Sequence, residues 1–316
     1  MKNLKIAASR ACPDCFTTHR EIVDARATDY IDVAAVVMAV SDIAEGAIEE
    51  LEATGFGIPV FINNDGNLFA YGEALAGTLP EVNKRLKEAG SSKVYKNLLG
   101  ITLGTGFGAG VVIDSRLLTG DNGCGGDVWI MRNKKYPEMI AEESVSIRAV
   151  RRVYQELTGK DASSLTPKDI YDIAEGTAEG DQQAAVRSFN ELGEMAGDAI
   201  IRALNIVDGL VVIGGGVAGA AKYILPGIMN EMNRQIGTFA GASFPCLQME
   251  VFNLSEKEAF DKFLEEKDKM VKIPFSEREV HYACHKKIGI AVSTLGASRA
   301  VALGAYSFAL SQLNIL

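Results

Sequence analysis

One stretch constrains this chain more than any other: Ile101 to Ile113, reading I-T-L-G-T-G-F-G-A-G-V-V-I, with glycines at 104, 106, 108 and 110 around Thr105. Aliphatic and β-branched residues on both sides of a glycine-dense centre predict a strand, a tight turn and a returning strand, since glycine alone takes positive φ freely and lets other groups approach the backbone. Such a turn exposes bare backbone N–H groups and one threonine hydroxyl, a set that can surround a phosphate. A β-hairpin with a glycine bulge fits the same residues.

A second glycine unit lies further along. Leu210 to Ile213 reads as a buried strand, and Gly214-Gly215-Gly216 leads from it into a helix from about Ala218. Strand, glycines and helix N-terminus can accept a phosphate or let an adenosine lie against backbone, and tight strand-to-helix packing uses the same pattern. Between the two units, 142–157 has helical spacing with Val145, Ala149, Val150, Val153 and Leu157 inward, and Thr166-Pro167 opens the next helix with a cap residue and a proline. Gln182 to Leu204 forms a long helix with Phe189, Leu192, Ala196, Ala199, Ile200, Ala203 and Leu204 on its core face. The charged run 256–272, with Phe260 and Phe263, is expected to be a solvated helix, and 296–313 the last one.

Several motifs stand in register with these units. Asn64-Asp65-Gly66-Asn67 and Phe69-Ala70-Tyr71-Gly72-Glu73 precede the hairpin, Leu117-Leu118-Thr119-Gly120 and Gly125-Gly126-Asp127 follow it, and Thr294-Leu295-Gly296-Ala297 and Ala302-Leu303-Gly304-Ala305 come near the end. In this order and spacing, residues 57 to 316 resemble the ROK family, sugar kinases and sugar-responsive repressors of the actin-like ATPase superfamily. The resemblance implies an α/β fold of the actin-like, ribonuclease H-like type with two lobes. It divides the chain into 1–61, a small β-α-β segment; 62–98, the rest of the first lobe; 99–296, the C-terminal lobe; and 297–316, a helix returning to the first lobe.

The resemblance also implies an activity: ATP-dependent phosphorylation of a hexose or N-acylhexosamine, with Mg2+ accompanying the nucleotide. It assigns Asp65 as catalytic base, Asn64, Asp127 and Glu142 to the sugar, and Gly104, Thr105, Gly106, Gly108, Gly214, Gly215 and Gly216 to the nucleotide. Phosphoryl transfer to a hydroxyl needs a carboxylate placed to take its proton, and Asp65 between two asparagines after an aliphatic strand suits that need. An Asn-Asp-Gly turn explains the same residues. Glu142, followed four positions on by Ser146, fits the family's sugar-binding glutamate. A homodimer is implied, and the alternative is a non-catalytic sugar-binding protein of the repressor branch.

Two departures qualify these expectations. Where the family shows Gly-Glu-x-Gly-His, this chain has Gly126-Asp127-Val128-Trp129-Ile130, and no cysteine lies between 131 and 142. A tetrahedral zinc site needs four ligands, so no zinc is expected there. Cys12 and Cys15 with His19 make half a zinc pattern, which His281, Cys284 and His285 could complete. The family also opens on a strand and an Asp-x-Gly-Gly-Thr phosphate loop, and residues 1 to 57 carry no such loop and no glycine before position 46. Instead Leu4 to Ser9, Thr28 to Val37 and Thr54 to Phe61 are similar to the N-terminal wing domain of bacterial ornithine decarboxylases, so the chain reads as a chimera joined near residues 57 to 61. Residues 30 to 62 are expected to form strand, helix from Ser41-Asp42, and strand. Weak or absent turnover follows, because each missing preorganised donor costs on the order of 10²–10³ in rate.

Composition limits partners and location. A net charge of −9 and a pI near 5.1 argue against general affinity for nucleic acid or anionic membrane. No apolar run approaches the ~18 residues that span a bilayer and no leader pattern opens the chain, so a cytoplasmic protein is expected. Five scattered cysteines do not make a disulfide framework.

Overall fold

A computed structural model of the chain describes residues 5–9, 35–40, 60–265, 269–282 and 285–313. The expected helix after Ser41, the motif Cys12, Cys15 and His19, and Cys284 lie outside these residues. Strands β1 (Lys5–Ser9), β2 (Ala35–Val40) and β3 (Val60–Asn64) form one sheet in that order, β1 antiparallel to β2 and β2 parallel to β3. Parallel pairing of β2 with β3 needs a crossover connection, as a β-α-β unit supplies.

From β3 the chain enters α1 (Asp65–Ala76) and α2 (Thr78–Glu88), then β4 (Leu98–Leu103), β5 (Phe107–Ile113) and β6 (Arg116–Leu117). A 3₁₀ turn at Ala141–Ser144 precedes α3 (Ile147–Thr158), α4 (Pro167–Ala174), α5 (Gln182–Val207) and β7 (Leu210–Gly214). There follow α6 (Ala221–Met232), β8 (Gln235–Gly237), β9 (Ser243–Pro245), β10 (Glu250–Asn253), α7 (Lys257–Leu264), β11 (Lys269–Lys272), β12 (Glu279–Tyr282), β13 (Lys287–Val292) and α8 (Ala297–Gln312).

The main sheet runs β10-β13-β7-β4-β5-β6, its first four strands parallel and the last two antiparallel. Parallel strands carry helices on both faces and so read as continuous apolar runs, and β7 is buried at every position. Leu99, Ile101, Val211 and Ile213 point to the face covered by α3, α5 and α6. Leu98, Leu210 and Val212 point to the other, under α1, α2, α7 and α8.

Glycines decide how closely α1 lies on this sheet. Gly100 and Gly110 face one another across β4 and β5, and an added Cβ would stand 2.6 Å from Ala70 Cβ at Gly100 and 2.5 Å from Gly66 O at Gly110. The helix rests directly on backbone, which fixes where its first turn ends up. On its far side α1 crosses α8 with Gly72 against Ala300 and Gly304 against Leu68, both at distances that admit no side chain. Helix α8 also packs against β1 and β2.

Three local expectations need correction. The helix proposed from Glu142 to Leu157 starts at Ile147, because Ser146 is extended, and Leu157 is exposed rather than inward. The run 256–272 is not one helix: it stops at Leu264, and 269–272 pair with β12 as a hairpin. The alternative reading of Asn64-Asp65-Gly66 as a loop turn does not hold: Asp65–Ala76 is helical, and Asn64 caps it with its side chain accepting from Gly66 N at 2.8 Å and Asn67 N at 3.4 Å. At Thr166 expectation and structure agree: it forms a capping box with Asp169.

Candidate active site

Neighbouring parallel strands end together, and here their ends collect the glycine turns. Thr102 pairs with Gly214 and Ile213 with Val292, so the loops 104–106, 215–220 and 293–296 share one edge of the sheet, the usual ligand edge of an open α/β sheet. At Gly215 (φ +93) any side chain would strike the Leu103 carbonyl. The two glycine units are therefore adjacent, not on different surfaces.

Within the first turn Gly104 N donates to Gly106 O at 3.1 Å and Gly104 O accepts from Ile147 N at 3.0 Å, while Thr105 stands exposed at the tip. Nothing lies within 4 Å of the place a Cβ would take on Gly104, Gly216 or Gly296. Two of the expected nucleotide glycines do other work. Gly108 lies within β5 and makes room for the Thr102 hydroxyl, and Gly214 is buried against the Phe69 ring. Gly104, Thr105, Gly106, Gly215 and Gly216 remain at the open edge.

Glu142 belongs to this edge. Its Oε2 accepts from Phe107 N at 3.0 Å and its Oε1 from Arg148 Nη2 at 3.1 Å, and its own N–H donates to Trp129 O at 3.2 Å. Gly106 has to be a glycine for this to occur, because a Cβ there would sit 2.6 Å from Oε2. Arg148 also reaches Glu143 Oε1 at 3.1 Å, and its hydrogen bond to Glu142, above all, holds the guanidinium above its ordinary pKa.

Asn64 and Asp65 arrive from the other side. Asn64 is exposed, Asp65 half-buried as the first residue of α1, and Asn63 Oδ1 braces the turn by accepting from Asn64 N at 2.8 Å and Asn67 Nδ2 at 3.0 Å. A Cβ on Gly66 would meet Ala109 O at 2.8 Å. The start of α1 and Glu142 thus both touch β5, Gly66 at the Ala109 carbonyl and Glu142 at the Phe107 amide. Asp127 is exposed just after Gly126, whose backbone lies against Gly110. Asn63 and Arg148 were missed in sequence, one as a strand residue and one as a helix-face cation.

At the position of the family's histidine, Ile130 is exposed next to Trp129. The segment that follows is fastened without metal ligands: Lys134 pairs with Glu231 and Lys135 with Glu191, each at 2.6 Å, and Asn133 Nδ2 donates to Ser144 Oγ at 2.8 Å. These residues do not fit a zinc site. Among the described residues no group of three or more His, Cys, Asp or Glu could hold a metal ion, and no helix is long and apolar enough to cross a membrane.

Comparison with known proteins decides the family. The ROK family model matches residues 35–251. The chain belongs to the ROK family. It is 57% identical to a glucokinase from Parabacteroides distasonis whose crystal structure superposes with a TM-score of 0.76, over 83% of this chain and 71% of that one. A glucokinase from Thermotoga maritima is 29% identical over 217 residues, 61% of this chain, which spans 63% of that enzyme's length. The ROK glucokinase of Streptomyces griseus, solved with glucose and AMPPNP, shares the fold at a TM-score of 0.50 and 20% identity.

A short N-terminal segment has a different likeness. Over 62 residues, 20% of the chain, it is 53% identical to the inducible ornithine decarboxylase of Escherichia coli, 8% of which is covered. The ROK match begins at residue 35, upstream of the join expected at 57–61. The fold is the actin-like α/β fold of ROK proteins, and the foreign likeness is confined to the short N-terminal segment.

Proposed function

We propose that this chain binds a nucleoside triphosphate and a hexose or N-acylhexosamine in the manner of a sugar kinase, with phosphoryl transfer strongly reduced. The observation that carries the proposal is the shared edge. Loops 104–106 and 215–220 bring bare backbone together there, and the Glu142 carboxylate is bonded to the hairpin amide of Phe107.

In this reading Thr105 and Gly106, with Gly104, Gly215 and Gly216 around them, present N–H groups to the phosphates, for which Mg2+ supplies charge neutralisation. Glu142, Asn64 and Asp127 hold sugar hydroxyls. Asp65 accepts the proton of the attacking hydroxyl from its place as the first residue of α1. The reduced rate is read from the sequence of residues 1–57, which carries no Asp-x-Gly-Gly-Thr motif and no glycine before position 46. Positioning and electrostatics carry most of this reaction, so loss of half the phosphate cradle lowers the rate more than it lowers binding.

A coupled ADP-release assay on the full chain, against a panel of hexoses and N-acetylhexosamines, tests the rate. Turnover of ordinary kinase size, ~10 s⁻¹ or more, would overturn the reduced-transfer part. Asp65→Asn should remove residual transfer and leave sugar affinity nearly unchanged, whereas an unaltered rate would take the base role from Asp65.

A further inference from the structure

The first turn of a helix is a poor place for a cation, because the backbone N–H groups there carry the positive end of the helix dipole. Arg148 is the second residue of α3. The cap before it, Ser146, makes no side-chain cap hydrogen bond, and the first turn of the helix contains no acidic residue. What offsets the placement is the pair of carboxylates preceding the helix, Glu142 and Glu143.

The geometry around Glu142 is a clamp with two jaws. Phe107 N–H holds one carboxylate oxygen and Arg148 the other, while the Ile147 N–H, one residue before the arginine, is bonded to Gly104 O. The arginine, the carboxylate and the glycine hairpin therefore form one closed ring of contacts. Without the arginine, Glu142 keeps a single hydrogen bond and its side chain can turn away from the hairpin.

We propose that Arg148 is a positioning residue for sugar binding: it holds the Glu142 carboxylate in place against the glycine hairpin. The inference rests on the proposed role of Glu142 and adds to it the group on which that role depends. Arg148 touches neither ligand in this scheme. Its side chain is 47% exposed, and an ion pair that open to solvent contributes little to stability. A merely structural arginine at this place would leave sugar affinity alone.

The experiment is a double-mutant cycle on the full chain, with Glu142→Gln, Arg148→Gln, the double variant and Arg148→Lys. Sugar binding is titrated with glucose and N-acetylglucosamine by calorimetry and by the fluorescence of Trp129, the one tryptophan of the chain, whose carbonyl accepts from Glu142 N. Titration needs no turnover. Expected is a loss of about tenfold in sugar affinity for Arg148→Gln, the size of one charge-assisted hydrogen bond, with nucleotide affinity and thermal midpoint nearly unchanged. Arg148→Lys recovers part of the loss, and in the Glu142→Gln background Arg148→Gln adds nothing further.

Other results overturn it. If Arg148→Gln leaves sugar affinity intact while Glu142→Gln weakens it, or if the two losses add independently, Arg148 does not act through Glu142. If nucleotide and sugar affinity fall together with the thermal midpoint, its role is structural. If Glu142→Gln itself leaves sugar affinity unchanged, or neither sugar binds the unaltered chain, the proposed role of Glu142 fails and the inference falls with it.

Discussion

The same residue type serves opposite purposes where α1 crosses α8 and at the sheet edge nearby. Where α1 crosses α8, the space of a side chain on Gly72 and Gly304 is filled by the partner helix backbone. At Gly104, Gly216 and Gly296, that space is empty to 4 Å. One set of glycines closes a contact and the other stands clear of any neighbour. The difference teaches that a glycine count says nothing about ligands until the neighbours of each position are known.

The sharpest way to break this contrast is to add one methyl group on each side. Gly304→Ala drives a Cβ into the Leu68 carbonyl, and overpacking against unyielding backbone should cost about 3 kcal/mol, seen in denaturant or thermal unfolding. A cost under ~1 kcal/mol would show that the helices separate easily, and the closed set would lose its meaning.

Glu73 gives the next largest effect, since it joins the closed region to the open edge. It is fully buried and accepts from Thr78 N at 2.9 Å, from Thr78 Oγ1 at 2.8 Å and from Ser293 Oγ, whose residue begins the 293–296 loop. Glu73→Ala leaves those donors unsatisfied and should lower stability by about 2 kcal/mol. The loss should be shared by Ser293→Ala in a double-mutant cycle, and simple additivity would show that the two residues are not coupled.

Gly106→Ala is intermediate between the two kinds. Its neighbour is the mobile end of Glu142, 2.6 Å away, so unfolding free energy should change by less than ~1 kcal/mol while sugar affinity falls. Unchanged affinity would separate Glu142 from the sugar.

The smallest effect on stability belongs to Gly104→Ala, within ~0.5 kcal/mol. Its signature is a ligand effect. A nucleotide at a hundred times its Kd stabilises a protein by about 2.7 kcal/mol, and the thermal shift should shrink in Gly104→Ala but persist in Gly304→Ala. Equal shifts in both variants would refute the open set.

How much of this was legible beforehand depends on pattern type. The hairpin, the strand from Leu210 and the long helix α5 carry clean periodicity and were read correctly. Helix α1 was hidden because all but its first and last few residues are buried, around the whole circumference; such a helix has no polar face to mark its period. The break at Ser146 and the strand at 269–272 were hidden by helical spacing that continues past the real ends. At the site, the residue types of Asn64, Asp65 and Glu142 were visible. Which glycines are open, and that Arg148 closes on Glu142, depends on pairing across distant strands, which no local window contains.

The α1–α8 crossing has a consequence for the order in which this protein can be made. Residues 65–76 and 297–312 are more than 200 positions apart, and the glycine face of α1 can be covered by nothing nearer in the chain. Contacts of such long sequence separation form late, and domains assemble as synthesis proceeds. On the ribosome the side of α1 that faces α8 therefore waits until the segment after Gly296 has emerged, while its other side can already rest on β4 and β5. A nascent chain stopped before Ala297 would display that side to other copies and to chaperones, so the hazard of this fold lies in the interval between translating α1 and α8.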